Sequence, residues 1–159
     1  MGFRNFIQSY HAKQTGEWSA NAMISIHMCT ESDIPVLAQL NRMLIEDEKA
    51  DNNMTISDLE QRMTDFLSSE YKAFFFEADE RRIGYALINT AKNPFYLRQF
   101  FIGRKNRRMG YGKEAFHALL KHMKVSTIDL DVYAWNHRGI SFWKSLGFSE
   151  RYYNMRFEE

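Results

Sequence analysis

One short stretch of the chain combines positive charge with glycine in a pattern suited to binding phosphate. Five of the ten residues from 104 to 113 are cationic and none is acidic, and Gly110 and Gly112 fall among them. The stretch lies between an apolar strand that ends at Ile102 and a predicted helix that opens near Tyr111. Glycines let a backbone approach an anion closely, and a helix start points N–H groups and its positive dipole at it. The pattern therefore predicts a phosphate or pyrophosphate site, the alternative being a solvated basic turn.

Two common phosphate-binding motifs fit this stretch less well. A P-loop requires Ser or Thr after its lysine, and Glu114 occupies that place. Residues 110–115 read G-x-G-x-x-A, and Asp131 follows at about 20 residues, as in a dinucleotide-binding fingerprint. However, seven residues separate Ile102 from Gly110, whereas the fingerprint begins directly at the end of its strand. This gap counts against a dinucleotide site.

Periodic apolar residues predict the elements that position this stretch. Residues 24–28 alternate as a strand, and a helix capped at Thr30 or Ser32 follows. Ser57 and Glu60 form a capping box for a second helix. The remaining elements are predicted as strands at 71–77, 83–89 and 96–102, a helix at 111–123, a strand at 128–132, a helix at 140–146 and a strand at 148–157. This order predicts an α/β fold in which helices cover both faces of a mixed sheet.

The length and composition fit one globular domain. The chain has 159 residues, 45% hydrophobic and 26% charged, with a net charge of +1, which argues against a nucleic-acid or membrane-surface partner. One cysteine, Cys29, excludes an internal disulfide and a multi-cysteine metal site, so we expect no metal and a cytoplasmic location. Residues 1–22 are predicted to be an N-terminal extension, either an amphipathic helix or a loosely docked tail, and residues 23–159 the domain.

Two motifs carry a resemblance to a known family. Residues 100–102, followed by Arg-Arg-Met-Gly-Tyr-Gly at 107–112, resemble the R/Q-x-x-G-x-G/A signature of the GNAT superfamily of N-acetyltransferases. Residues 130–148 run strand, Asn, short helix and Gly-Phe, which is similar to the last core motif of that family. The resemblance covers about residues 23–157, and it implies a single-domain, mostly antiparallel mixed sheet flanked by helices on both faces.

The resemblance implies acetyl-CoA as co-substrate. The N–H groups of residues 108–113 would hold the pyrophosphate, and the backbone of residues 100–102 would pair with the pantetheine arm and the thioester carbonyl. Asn136 would contact the cofactor near its thiol arm. The implied cofactor-binding residues are Phe100, Phe101, Ile102, Arg107, Arg108, Met109, Gly110, Tyr111, Gly112, Lys113 and Asn136, with Arg104 and Lys105 as further cations near the phosphates.

Acidic residues at the end of the first helix are candidates for the acceptor side. Glu46, Asp47 and Glu48 are consecutive, and Asp51 follows. In the family this region borders the acceptor pocket, and clustered carboxylates would attract a cationic amine and accept its proton. A solvated helix end is the open alternative. We take Glu46 and Glu48 as candidate bases, with Asp131 as a secondary candidate.

The general acid departs from the pattern of the family. A Tyr often stands seven residues after the motif Asn to protonate the departing thiolate, but Trp143 occupies that position. An indole N–H donates a hydrogen bond and is no practical acid, so we expect Trp143 to pack in the core. Tyr133 is the candidate replacement, with Tyr152, Tyr153 or water as alternatives.

These residues together predict an N-acetyltransferase. The expected reaction moves an acetyl group from acetyl-CoA to a primary amine of a small molecule or peptide, by direct attack in a ternary complex. The alternative is a non-catalytic acyl-CoA-binding sensor, which the Trp143 departure suggests. We expect a monomer or a homodimer.

Overall fold

The computed structural model describes residues 23–159, so the predicted N-terminal extension and its amphipathic segment lie outside the described residues. The strands are β1 (Ser25–Met28), β2 (Tyr71–Ala78), β3 (Arg81–Asn89), β4 (Phe95–Ile102) and β5 (Ile128–Leu130). The helices are α1 (Ile34–Glu48), α2 (Ile56–Leu67), α3 (Tyr111–Met123) and α4 (His137–Ser145), with single 3₁₀ turns at Glu31–Asp33 and Arg104–Asn106. None of the helices within residues 23–159 is a candidate for a membrane span.

The five strands form one sheet in the order β1-β2-β3-β4-β5. Strands β1 to β4 pair antiparallel with their neighbours, and β5 runs parallel to β4. The parallel connection passes through α3, as parallel strands require a crossover. The predicted α/β class, a mixed and mostly antiparallel sheet, is confirmed.

Alternating side chains of the sheet reach two separate cores. Phe74 and Phe76 of β2 pack on the face that carries α3 and α4. Phe75, which lies between them, packs on the opposite face with Leu37 of α1 and Met63 of α2. This alternation follows from the two-residue period of a strand. Helices therefore cover both faces, as predicted, and the predicted phosphate loop begins at the end of β4.

The start of α2 differs from the prediction by two residues. Thr55 is its N-cap, and the Thr55 hydroxyl accepts a hydrogen bond from the Asp58 N–H at 3.2 Å. The Asp58 carboxylate accepts the Thr55 N–H in return, at 2.8 Å. The capping box predicted at Ser57 and Glu60 is therefore wrong, because an Asp at the third helical position completes the same reciprocal pair earlier in the chain.

The last predicted strand, at 148–157, is also wrong. The chain after Gly147 forms neither helix nor strand, and Tyr153, Met155 and Phe157 are exposed. Strand β5 ends at Leu130 instead of residue 132, so it offers a neighbour only three residues long. An alternating segment needs a partner ladder to become a strand, and this one finds only a short edge.

Candidate active site

Strand β4 separates from β5, the parallel strand at the edge of the sheet, after three paired residues. Strand β5 pairs with β4 only from Phe95 to Leu97. The ladder between β3 and β4 slips at Arg98, because Leu87 lies opposite Gln99 while the next residue lies opposite Leu97. A bulge of this kind bends a strand and leaves backbone groups unpaired. The second half of β4 therefore has an open edge on the β5 side, and residues 100–102, which are predicted to bind the thioester, lie there.

Gly84 of β3 allows the end of β4 to lie very close to β3. A Cβ at Gly84 would be 1.9 Å from the carbonyl oxygen of Phe101. No side chain fits there, so the end of β4 keeps its position only while residue 84 is glycine.

Gly84→Ala should therefore shift β4 and lower the free energy of unfolding by roughly 1–3 kcal/mol, the usual range for overpacking. Urea unfolding followed by circular dichroism measures it. Gly103→Ala is the control, because its nearest neighbour at 3.2 Å is the flexible Asn106 side chain. Equal stability of the two variants would show that the close approach at Gly84 is dispensable.

The chain between β4 and α3 forms an anion cradle. Arg108 and Gly110 both have positive φ, at 65° and 83°, and Gly110 is the N-cap of α3. The N–H groups of residues 108–113 have no backbone acceptor within residues 23–159. Alternating backbone conformations with free N–H groups at a helix start form a concavity for phosphate. The pyrophosphate role of these amides remains a prediction, and the geometry fits it.

Gly112 packs this cradle against α4. A Cβ at Gly112 would lie 3.1 Å from the Phe142 ring. Met109 is exposed, and Tyr111 is buried in the core of the α3 face. The glycines therefore have different uses: Gly110 supplies the left-handed turn, whereas Gly112 brings α3 close to α4.

The cations of the loop divide into two groups. The Arg107 guanidinium donates to the Ile102 carbonyl through Nε at 2.7 Å and to the Asp47 carboxylate. Arg104 donates to Asp47 at 2.8 Å and to Glu46 at 3.2 Å. Both arginines thus join the loop to the end of α1. Lys105, Arg108 and Lys113 form no salt bridge within residues 23–159, so their charge is available to phosphates.

Asp47 holds this junction together. Its side chain is only 12% exposed. Burial alone would raise the pKa of the Asp47 carboxyl, but hydrogen bonds from Arg107 and Arg104, with their positive charge, hold that pKa below its ordinary value. The carboxylate therefore stabilises the fold above its ordinary pKa, and this contribution is lost as the pH falls through the lowered value.

Asp47→Asn should lower the free energy of unfolding at pH 7 by roughly 1–3 kcal/mol, because Arg107 loses a partly buried partner. The difference from wild type should shrink as the pH falls below about 4. Urea titrations at pH 7 and pH 3 measure both values. Glu46→Gln, at an exposed carboxylate, should change stability by less than about 1 kcal/mol. A loss in Asp47→Asn that persists unchanged at pH 3 would contradict the ion-pair explanation.

Trp135 links the backbone at Glu48 to the ring of Tyr133, two predicted catalytic residues. Its indole N–H donates to the backbone carbonyl of Glu48 at 3.0 Å, and its ring stacks on Tyr133 at 4.7 Å and 16°. The Glu48 side chain is partly buried and has no hydrogen-bond or ion-pair partner within residues 23–159. Burial, and then the charge of Asp47, raise the pKa of the Glu48 carboxyl. Glu46 faces Arg104 instead and does not join this group.

A buried polar row lies beside Glu48. The Tyr85 hydroxyl donates to the Gln99 side-chain oxygen at 2.9 Å, and both residues are buried. Asn41 of α1 is 1% exposed, and its side-chain oxygen has no partner within the described chain. Burial and the charge of Glu48 raise the pKa of Tyr85, which therefore stays protonated. Sequence reasoning missed Tyr85 and Asn41, although each is a polar residue at an apolar position.

Trp143 is partly buried and packs against the core of the α3 face, as predicted. Its ring meets Phe100 edge-on at 5.2 Å and contacts Phe116 and Phe148 at 5.7 and 5.3 Å. It supports β4 from the α4 side. Asn136 caps the same helix, because its side-chain oxygen accepts the Gly139 N–H at 2.9 Å. The predicted cofactor contact of Asn136 remains a prediction.

Asp131 takes part in hydrogen bonds that hold the fold together. Its carboxylate accepts hydrogen bonds from the Tyr96 hydroxyl at 2.9 Å and the Tyr152 hydroxyl at 2.8 Å. These bonds attach the C-terminal segment to the sheet and engage the Tyr152 proton. Cys29 is equally unsuited to chemistry, because burial raises the pKa of its thiol to about 12.

Comparison with known proteins identifies the class. The model of the Acetyltransferase (GNAT) family matches residues 37–148. Since this match covers more than half of the chain, the protein belongs to the GNAT acetyltransferase family. The comparison with curated proteins gave no significant match.

Solved acetyltransferases share the fold. The aminoglycoside N-acetyltransferase AAC(6')-Iy in complex with CoA is 15% identical with a TM-score of 0.66, covering 87% of this chain and 96% of its own. A predicted acetyltransferase with acetyl-CoA from Clostridium acetobutylicum is 16% identical with a TM-score of 0.63, covering 86% and 96%. An aminoglycoside acetyltransferase from an uncultured soil metagenomic sample, in complex with sisomicin, is 14% identical with a TM-score of 0.61, covering 86% and 95%.

Proposed function

We propose that this protein transfers an acetyl group from acetyl-CoA to a primary amine of a small molecule or peptide, in a ternary complex. The observation that carries the proposal is the free N–H cradle at residues 108–113, which directly follows the open edge of β4. The residues fit acetyl-CoA, because the cradle offers N–H groups and unpaired cations to its phosphates. Structural neighbours with bound CoA and acetyl-CoA support the same choice.

The open edge of β4 is suited to the acyl end of the cofactor. Acetyl-CoA supplies an activated thioester, whose carbonyl carbon gains a bond to the amine nitrogen while its bond to sulfur breaks. Backbone N–H groups at residues 100–102 would then stabilise the charge that develops on the carbonyl oxygen. Because the bulge at Arg98 and the close packing at Gly84 fix this edge, the donors need no rearrangement during the reaction.

Glu48 is suited to remove the proton that an amine carries. An alkylammonium has a pKa of about 10.4, so most of the acceptor arrives charged at pH 7. The partly buried Glu48 carboxylate would bind this cation and take its proton, directly or through water. The Tyr133 ring stacks on Trp135, the residue that donates a hydrogen bond to the Glu48 backbone. Tyr133 is the proposed proton donor to the departing thiolate. Sisomicin bound to one neighbour supports a small-molecule amine as the acceptor class.

The direct test measures acetyl transfer itself. The protein is incubated with acetyl-CoA and one amine at a time. The amines are butylamine, 1,5-diaminopentane, lysine, a lysine peptide and sisomicin. Mass spectrometry identifies the products. We expect at least one amine to gain an acetyl group while CoA is released. Release of CoA without an acetylated amine would indicate hydrolysis and contradict the proposal.

An acyl-CoA sensor is the second candidate. The observation that favours it is Trp143, which packs against Phe100 and Phe148 at the position where the family often has its acid. A sensor would bind acetyl-CoA and release CoA no faster than buffer with every amine. Trp143→Tyr would then leave turnover at zero, whereas in an enzyme it should not slow turnover if the ring packs equally.

A further inference from the structure

Two arginines share one aromatic ring on the α2 side of the sheet. The guanidinium carbons of Arg62, on α2, and Arg98, on β4, lie 5.4 Å and 5.1 Å from the centroid of the Phe66 ring. Arg98 also lies 5.9 Å from the Tyr71 ring, and it donates to the Tyr71 hydroxyl at 3.4 Å. Arg62 donates to the sulfur of Met54 at 3.9 Å. Both cations are thus held in place by neutral groups.

This pair lacks a countercharge. Neither Arg62 nor Arg98 forms a salt bridge within residues 23–159. Arg62 is partly buried, and burial together with the charge of Arg98 lowers its pKa. Contact with an aromatic face stabilises a cation but does not cancel the repulsion between two of them. Two neighbouring guanidinium groups bind a carboxylate well, because each offers a planar fork of donors.

The pair lies on the acceptor side of the proposed site. Arg98 is the bulge residue of β4 and directly precedes Gln99, whose side chain accepts a hydrogen bond from the Tyr85 hydroxyl at 2.9 Å. Arg62 also interacts electrostatically with Tyr85 and Tyr133. The Tyr85 hydroxyl also lies within the field of Glu48. Glu48, an unpaired carboxylate, and Arg62, an unpaired cation, therefore both interact electrostatically with Tyr85. A molecule with both an ammonium and a carboxylate complements this arrangement at its two ends.

We propose that Arg62 and Arg98 form an anion subsite for a carboxylate of the acceptor, so that the acceptor is an amine that also carries a carboxylate group. Free amino acids and short peptides with a free C-terminus share this chemistry. The inference rests on the proposed function, since it places the ammonium of the same acceptor at Glu48. It favours a zwitterionic acceptor over a polycationic amine.

The test compares matched pairs of ligands. Thermal unfolding of the complex with CoA is measured with the common L-amino acids, with a set of dipeptides, and with the C-terminal amide of each. Lysine, lysinamide and 1,5-diaminopentane form one such series. At least one carboxylate should raise the melting temperature while its amide does not. The arm that responds, amino acid or dipeptide, identifies the source of the carboxylate.

Variants assign the effect to the two arginines. Arg98→Gln, at an exposed position, should weaken binding of the active carboxylate by roughly 10- to 100-fold, the usual range for a charged hydrogen bond. Arg98→Lys should lose less, because it keeps the charge without the fork. Arg82→Gln is the matched control, since the Arg82 guanidinium also covers a phenylalanine, at 3.6 Å from the Phe75 ring. It should leave binding unchanged. Arg62→Gln is the confirming variant if it folds.

The outcomes separate the subsite from the proposed function. Equal binding of acids and amides, no response to any carboxylate, or unchanged selectivity in Arg98→Gln would overturn the subsite. Acetylation of sisomicin or 1,5-diaminopentane alone would overturn it too, while the acetyltransferase proposal stands. Binding of a carboxylate that Arg98→Gln abolishes, without any acetyl transfer, would support the subsite and contradict the function.

Discussion

Gly110→Asp should abolish acetyl-CoA binding while leaving the fold intact. Gly110 precedes α3 in a left-handed conformation, with φ at 83°, which Asp adopts more readily than most other residues. A Cβ at this position would meet nothing within 4 Å. The new carboxylate would occupy the cradle that we assign to the pyrophosphate and repel it. We expect the dissociation constant for acetyl-CoA, measured by calorimetry, to rise at least about 100-fold, equivalent to roughly 2.8 kcal/mol.

Gly110→Asn is the matched control. Asn has the same shape as Asp and also tolerates positive φ, but it carries no charge. Its dissociation constant should rise less than about tenfold. If both variants lose binding equally, backbone strain explains the loss. If Gly110→Asp binds as wild type does, the pyrophosphate lies elsewhere.

Glu48→Gln should lower kcat by about 10² to 10⁴, the usual contribution of a general base. The KM for acetyl-CoA should stay within about twofold, because we place Glu48 on the acceptor side, away from the cofactor. Since burial and Asp47 raise the pKa of Glu48, kcat/KM of wild type should fall on acidification at a pH above that of an ordinary glutamate. This acid limb should be absent from the variant. Steady-state kinetics across pH measure it.

The same substitution predicts a gain in stability. A carboxyl whose pKa is raised by folding destabilises the folded state above that pKa and has no effect well below the unfolded value. Glu48→Gln should therefore raise the free energy of unfolding at pH 8 and leave it unchanged near pH 3. Glu46→Gln is the control for both measurements, because Glu46 is exposed and paired with Arg104. An inactive Glu46→Gln beside an active Glu48→Gln would reverse the assignment.

The elements whose sequence pattern is local were predicted well. Helix α3 and strands β2 to β4 have strong apolar periodicity, and all four lie where the sequence places them. The strand at 148–157 failed because pairing is not local. Its residues alternate, but whether they form a strand depends on the length of β5, which is only three residues. Side-chain alternation alone carries no information about the neighbouring edge.

The candidate site likewise has one part that is local in the sequence and one part that is built by distant residues. The phosphate loop is readable because its cations and glycines are neighbours along the chain. The partners that shape it are distant in sequence: Asp47 lies 60 residues from Arg107, and Glu48 lies 87 residues from Trp135. The sequence therefore predicted Arg107 as a cofactor-binding cation, whereas in the fold its guanidinium joins the end of β4 to α1. The signal for Trp135 was present, since a tryptophan beside Asn136 occupies a loop that no apolar face requires.

Thermal unfolding with and without acetyl-CoA tests most directly whether the cradle and the open edge of β4 bind this co-substrate. A ligand at 100 times its dissociation constant stabilises a protein by about 2.7 kcal/mol, or roughly 5–10 °C for a domain of this size. We predict this rise with acetyl-CoA in wild type, its absence in Gly110→Asp, and little change with NADH or ADP. A rise with NADH alone would favour a dinucleotide site, and no rise with acetyl-CoA would contradict the proposed function.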